Sequence, residues 1–243
     1  MRSFLLLAAL LVAVTALSAN GLHRERYAKE RALRSKKGHL GVVEPPYPWW
    51  TGVELATAGA SPQIEFFGSF TCPDCRDHWT NIIKPILAKY GSKISLVHQP
   101  FALPYQSYSM DCTQAALSVY RLTNNSAAQF IAFTDKVFQG QDFFFNTFDL
   151  TQRQVWEQTF AKWAAPLGIS QDALFAAMNG TTTSANDDAW YSARFARQRT
   201  LPGAPTFIIN KWLPFDIDTY DWQFSDWEKW IDSALPFGGN QDL

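Results

Sequence analysis

The stretch that decides the fold is Ile64–Trp79, IEFFGSFTCPDCRDHW. An aromatic run from Gln63 to Phe70 is bounded by Pro62 upstream and by two cysteines, Cys72 and Cys75, downstream. Such a run reads as a strand. Beyond it, Trp79, Ile82, Ile83, Ile86 and Leu87 recur at helical spacing and Gly91 ends the segment. This predicts a helix over Arg76–Tyr90, kinked at Pro85. The local order is therefore strand, Cys-Pro-Asp-Cys turn, helix.

Three uses are open to the cysteine pair. Zinc needs about four ligands. Outside the pair only Cys112 and four histidines remain, with no second Cys-x-x-Cys or His pair, so no metal is expected. A purely structural disulfide across so short a loop gains little, because the benefit grows with loop length. A redox pair fits best: a thiolate at a helix start attacks a disulfide and its neighbour resolves the adduct. Thr71 is a candidate N-cap with Asp74 three residues on, close to a capping box. Pro73 falls in the first turn, where its missing N–H costs little. Cys72 then meets the positive end of the helix dipole, which favours its thiolate, and Cys75 lies deeper as the resolving thiol. Asp74 opposes this, since a carboxylate beside a thiolate disfavours it. The bland reading of Asp74 is a helix cap.

Outward from the turn, Ile94–His98 reads as a second strand. From about Ser107 to Arg199 the pattern is helical, with candidates at Ser109–Leu122, Ala127–Phe138, Thr151–Leu167, Gln171–Met178 and Ala185–Arg199. Strand character returns at Thr206–Asn210. Lys211–Asp216 continues toward a hairpin partner, and Phe224–Leu235 is a closing helix. Glu44–Trp50, with three prolines, reads as extended.

The chain of 243 residues, 47% hydrophobic and 15% aromatic, suits one well-filled core rather than disorder. A net charge of -1 gives no reason to expect nucleic acid. The charge is uneven. Leu22–Lys37 holds seven basic and two acidic residues, and apart from Arg2 the rest of the chain holds 13 basic against 20 acidic. Residues 19–50 therefore form a basic, Pro-rich arm: a solvated leader, a candidate pro-segment with Arg31-Ala-Leu-Arg34 and Lys36-Lys37 as cleavage signals, or a contact for anionic membrane surfaces or partners. Before it, Arg2, an apolar run from Phe4 to Leu17 and small residues mark residues 1–18 as a secretory signal peptide. That run is short for a membrane span. The expected compartment is oxidising: the endoplasmic reticulum lumen or the exterior. The sequons at Asn124 and Asn179 agree with that route.

The segments EFFGSFTCPDC (Glu65–Cys75) and GAPTFIIN (Gly203–Asn210), about 130 residues apart, jointly resemble the DsbA-like thiol–disulfide oxidoreductases of the thioredoxin superfamily. The resemblance runs from Pro62 to Leu235. It implies an α/β thioredoxin-like fold with a helical subdomain inserted at about 107–200 in a domain spanning 51–243. It implies a cis Ala204–Pro205 bond lying against the cysteine turn, with the Ala204 backbone free to take up an extended substrate chain. It implies thiol- or disulfide-containing protein substrates, a redox partner that recycles the pair, and no cofactor beyond the disulfide itself. Three departures stand out. Asp74 occupies the place where the best-known oxidases of the family carry His. Glu65 is offset by one residue from the acid often found in the strand, so it is either a proton relay or a charged strand-end residue. Leu103-Pro-Tyr-Gln106 ends in Gln where relatives often have His.

Other residues have two readings each. Cys112, beside Ala115 and Ala116, is a buried inert thiol or a regulatory one. His78, one turn past Cys75, tunes the pair or is a solvated helix residue, and His98 is a satisfied partial-core residue. Aromatics left exposed around Cys72 would form an apolar landing surface. Two other functions compete with the redox reading. One is a non-catalytic thioredoxin-like binding or chaperone module of the secretory pathway. The other is a glutathione-using enzyme on the same fold.

Overall fold

The computed structural model describes residues 52–147, 149–211 and 219–235. The signal peptide, the basic arm, Glu44–Trp50 and nearly all of the expected hairpin partner lie outside the described residues.

Four strands form one mixed sheet in the order β1-β3-β2-β4. They are β1 (Val53–Glu54), β2 (Gln63–Gly68), β3 (Ser95–Pro100) and β4 (Thr206–Ile209). β2 and β3 are parallel, while β1 on β3 and β4 on β2 are antiparallel. β3 is buried throughout and β2 at all but its first residue. That is the signature of strands covered on both faces, and it explains their unbroken apolar character. One face presents Phe66, His98 and Phe207. The other presents Phe67, which stacks on Phe195.

Helix α1 (Pro73–His78) begins one turn earlier than Arg76. It runs through a π segment, Trp79–Ile83, into α2 (Lys84–Tyr90). The kink expected at Pro85 takes this form. Proline has no N–H and its ring would strike the carbonyl four residues back, so the backbone widens just before it. Lys84 N–H accordingly reaches back to the Trp79 carbonyl. The Trp79 indole donates to Asp135 at 2.8 Å.

Helices α3 (Ser109–Leu122), α4 (Ala127–Gln139), α5 (Gln152–Gln158), α6 (Phe160–Ala164), α7 (Gln171–Met178) and α8 (Ala185–Gln198) fall between β3 and β4. The expected single helix Thr151–Leu167 is broken at Thr159, whose φ of -119° and ψ of -86° leave the helical region. Its hydroxyl donates to the Val155 carbonyl. Helix α9 (Phe224–Ala234) closes the Phe66 face. It is fastened to α2 by Lys89–Glu228 and by the Tyr90 hydroxyl on Asp232. On the other face α8 is tied to β3 by the Ser192 hydroxyl on the Pro100 carbonyl. None of the described helices is long and apolar enough to cross a membrane.

Candidate redox site

The turn that follows β2 sets the site. Cys72 is the N-cap of α1, with extended backbone (φ -91°, ψ 121°) and no side-chain cap. Pro73 occupies the first helical turn, as its lack of an N–H allows. The capping box expected of Thr71 and Asp74 does not form, because the Thr71 hydroxyl donates to Gln106 Oε1 at 2.8 Å instead. Cys72 is 5% exposed and Cys75 fully buried.

The two sulfurs differ in charge preference. The Cys75 thiol hydrogen-bonds the Cys72 sulfur, and backbone N–H groups of the first turn add to this. Against burial and the charge of Asp74, these bring the Cys72 thiol down to about 7. Burial and the neighbouring Cys72 sulfur push Cys75 well above the usual thiol range, and Ser69 N–H, 3.3 Å from Cys75 Sγ, opposes that rise. Cys112 is fully buried and its thiol is likewise raised.

This makes a prediction. Alkylation of Cys72 should follow a single ionisation near about pH 7, while Cys75 and Cys112 stay unreacted. At pH 6 that is roughly a hundredfold more thiolate than an ordinary thiol near 9 would supply. Asp74→Asn should speed alkylation at pH 6 roughly twofold to threefold, the size of one screened charge. Slower alkylation in that variant would mean that the Asp74 carboxylate favours the thiolate.

The turn is held from two sides. Buried Gln141, in the 3₁₀ segment Gln141–Phe145, donates through Nε2 to the carbonyls of Phe70 and Cys72, each at 2.9 Å. Arg76 pairs with Asp142 of the same segment at 2.9 Å. On the other side the Ser69 hydroxyl reaches Gln106 Oε1 and Ser109 Oγ, both at 3.0 Å. Gln106 thus gathers two hydroxyls where the family pattern offers His. It also lines a groove of about 270 Å³ with Leu103, Trp190 and Arg197.

The Cys72 thiol lies 3.4 Å from the Ala204 carbonyl oxygen, which it can donate to. The Ala204–Pro205 bond is cis, as the resemblance implied. Ser61–Pro62 is also cis, which nothing in the sequence reading anticipated. The thioredoxin family profile matches residues 54–233.

The chain belongs to the thioredoxin family.

Among solved structures, its fold resembles a double cysteine-to-alanine variant of α-DsbA1 from Wolbachia pipientis. That pair shares 18% identity and a TM-score of 0.59 over 78% of this chain and 92% of the other. A Pseudomonas syringae protein assigned as a protein-disulfide isomerase gives 17% and 0.61 over 74% and 97%. The thiol-disulfide exchange protein α-DsbA2 of Wolbachia pipientis gives 16% and 0.55 over 75% and 87%. No curated protein matches the chain. The fold is thus that of a thioredoxin-family protein of DsbA type with a helical insertion.

Within this thioredoxin-family frame the remaining candidates separate. Glu65 is not a strand-end residue. It sits inside β2, fully buried, on the face away from α1. Its carboxylate accepts from Gln99 at 3.0 Å and lies 4.0 Å from Arg199, and burial raises its pKa. His78 is half-buried rather than solvated, with Nδ1 at the Asp74 carbonyl (2.8 Å) and Nε2 at the Tyr220 carbonyl (2.9 Å). Asp74 is exposed and accepts from the Tyr220 hydroxyl at 3.1 Å. His98 is fully buried, deeper than a partial-core residue. Asn124 and Asn179 are exposed at helix ends. Among the described residues no group of three His, Cys, Asp or Glu could hold a metal ion.

Sequence reasoning missed Gln141 and Tyr220. Neither carries a local signal, since each is brought to the turn by the chain's return from far along the sequence. Four exposed aromatics lie on segments that reach the site or its groove. Tyr220 bonds Asp74, Tyr105 adjoins Gln106, Phe145 shares a segment with Gln141, and Trp190 lines the groove.

Proposed function

We propose that this protein is a thiol–disulfide oxidoreductase acting on protein substrates of the secretory pathway through the Cys72–Cys75 pair. The observation that carries the reading is the placement of Cys72. Its sulfur sits at a helix N-terminus with a thiol near about 7, facing the Ala204 carbonyl beside Pro205. Cys72 is the nucleophile and Cys75 the resolving thiol. Ala204 and Pro205 form the edge along which an extended substrate lies. The exposed aromatics around the turn supply apolar contact for unfolded chains.

In the oxidising direction a substrate thiolate attacks Cys72 Sγ. A substrate–Cys72 bond forms, the Cys72–Cys75 bond breaks, and Cys75 leaves as thiolate. A second substrate thiolate then attacks its own partner sulfur and releases Cys72. Two electrons pass from the substrate to the pair, and no metal or organic cofactor takes part. The leader and the exposed sequon residues Asn124 and Asn179 support an oxidising, secretory location.

The reduction potential of the pair in glutathione buffers, read by alkylation and mass, tests this. A value above about -180 mV marks an oxidase despite Asp74, and one near about -270 mV marks a reductase or isomerase. A pair that never cycles would overturn the redox reading and leave a binding module on the same scaffold.

A further inference from the structure

The sheet face beneath the cysteine turn carries Phe66 and, opposite it in register, His98. Glu65 lies on the other face, so β2 places no carboxylate on this one. His98 lies on this face, fully buried. Its ring is boxed by Phe66, Phe70, Trp79 and Phe130 at centroid distances of 5.1, 5.3, 5.6 and 5.5 Å. Its Nε2 lies 3.4 Å from the Gly68 carbonyl oxygen, which also accepts from the Phe101 N–H at 2.9 Å, and its Nδ1 has no partner among the described residues. A carbonyl only accepts, so Nε2 carries the proton. Burial keeps the ring neutral by pushing its pKa down to about 3.

The Gly68 carbonyl and the Ser69 N–H are two ends of one planar peptide unit. The Ser69 N–H in turn donates to Cys75 Sγ at 3.3 Å. A continuous path therefore runs from the imidazole N–H, through that peptide, to the buried sulfur. Hydrogen bonds in series polarise one another, so donation into the carbonyl strengthens the N–H at the far end. The Phe66 ring, and after it His98, explains Gly68. A Cβ there would come within 3.1 Å of His98 Nε2 and 2.4 Å of the Phe66 ring.

We infer that His98 is a positioning residue for the resolving thiol, holding and polarising the Gly68–Ser69 peptide so that its N–H stabilises Cys75 as a thiolate. The inference rests on the redox reading above and assigns a group to its second sulfur. When Cys75 resolves a glutathione adduct, its thiolate attacks Cys72 Sγ. The Cys72–Cys75 bond forms, the bond to glutathione breaks, and glutathione leaves as thiolate. The proton Cys75 gave up passes to the buffer. The N–H of Ser69 is the donor that steadies the attacking sulfur in this step, and the leaving sulfur in the reverse one.

The test mixes the reduced full-length protein with oxidised glutathione and follows two rates by acid quench and mass. One is formation of the Cys72 adduct, and the other is its resolution by Cys75. His98→Phe should slow resolution about threefold to tenfold, the share of a buried hydrogen bond that polarisation can supply, and leave adduct formation within about twofold. His98→Gln, which keeps an N–H donor, should resolve close to the wild-type rate. A merely structural role would slow both steps together and would not be rescued by Gln. Should the Phe variant not fold, His98→Met against His98→Gln gives the same comparison. In wild-type protein, nitrogen NMR should show Nε2 protonated and Nδ1 bare at pH 7. Unchanged resolution in the donor-free variants, or the opposite tautomer, overturns the inference while the redox reading stands. Wild-type protein that forms no adduct at all overturns both, and that is read before any resolution rate.

Discussion

Cys72→Ser should leave no measurable disulfide exchange, and Cys75→Ser should accumulate mixed disulfides. The reason is chemical before it is structural. Exchange requires a sulfur that can bond to sulfur, and only the thiolate attacks. A serine hydroxyl at position 72 keeps the shape of the turn but can form no S–S bond. The donors of the first turn, the Gln141 clamp and the Ala204 edge then have no reacting atom to serve. Serine at position 75 leaves Cys72 able to attack but removes the thiol that releases the adduct. It also replaces the thiol that hydrogen-bonds the Cys72 sulfur, the largest cause of its lowered pKa. Insulin reduction reads the first variant, and intact mass after incubation with glutathione reads the second. Exchange that persists in Cys72→Ser, or a Cys75→Ser protein that captures no thiol partner, would show the two roles to be misassigned.

Trp227→Ala should cost about 3–5 kcal/mol of stability, as large-to-small changes of buried aromatics do. The indole is fully buried between α9 and the sheet. Its ring centroid lies 4.8 Å from Phe207, 4.9 Å from Trp222 and 6.1 Å from Trp230. Phe207 is two residues beyond Pro205, so the packing that fixes α9 also fixes the strand that follows the cis proline. The indole N–H has no partner among the described residues, so Trp227→Phe sacrifices volume but no hydrogen bond seen there and should cost far less. Urea unfolding should show a midpoint about 1–2 M lower for the Ala variant, at a slope typical of small domains. An unchanged midpoint would mean that α9 contributes little to holding the sheet.

Much of this fold could be read from residue pattern, and the failures have physical causes. Ser109–Leu122 and Gln171–Met178 are legible to the residue because their apolar spacing and their ends agree. The break at Thr159 was hidden, because Trp156, Phe160 and Trp163 keep helical spacing straight across it. Two-residue β1 is too short to show a period. At the site, both cysteines and the Ala204–Pro205 segment were legible from spacing and family pattern. What the pattern could not show is competition for hydrogen bonds. Thr71 reads as a cap only until Gln106, 35 residues away, is known to accept from it. Glu65 was suspect from its one-residue offset, and alternation along a strand turns that offset into the opposite face.

Gln141 belongs to the helical insertion, yet its amide satisfies the carbonyls of Phe70 and Cys72. The insertion is therefore not an interchangeable cassette. A chimaera taking this block from a relative with no amide at that point would take this donor from the Phe70 carbonyl and leave the Cys72 carbonyl with the Arg76 N–H. Lineages that diversify the insertion must keep this donor or replace it in the same generation of changes. The cysteine turn and the block that sets its neighbours are then inherited together, as one unit of selection.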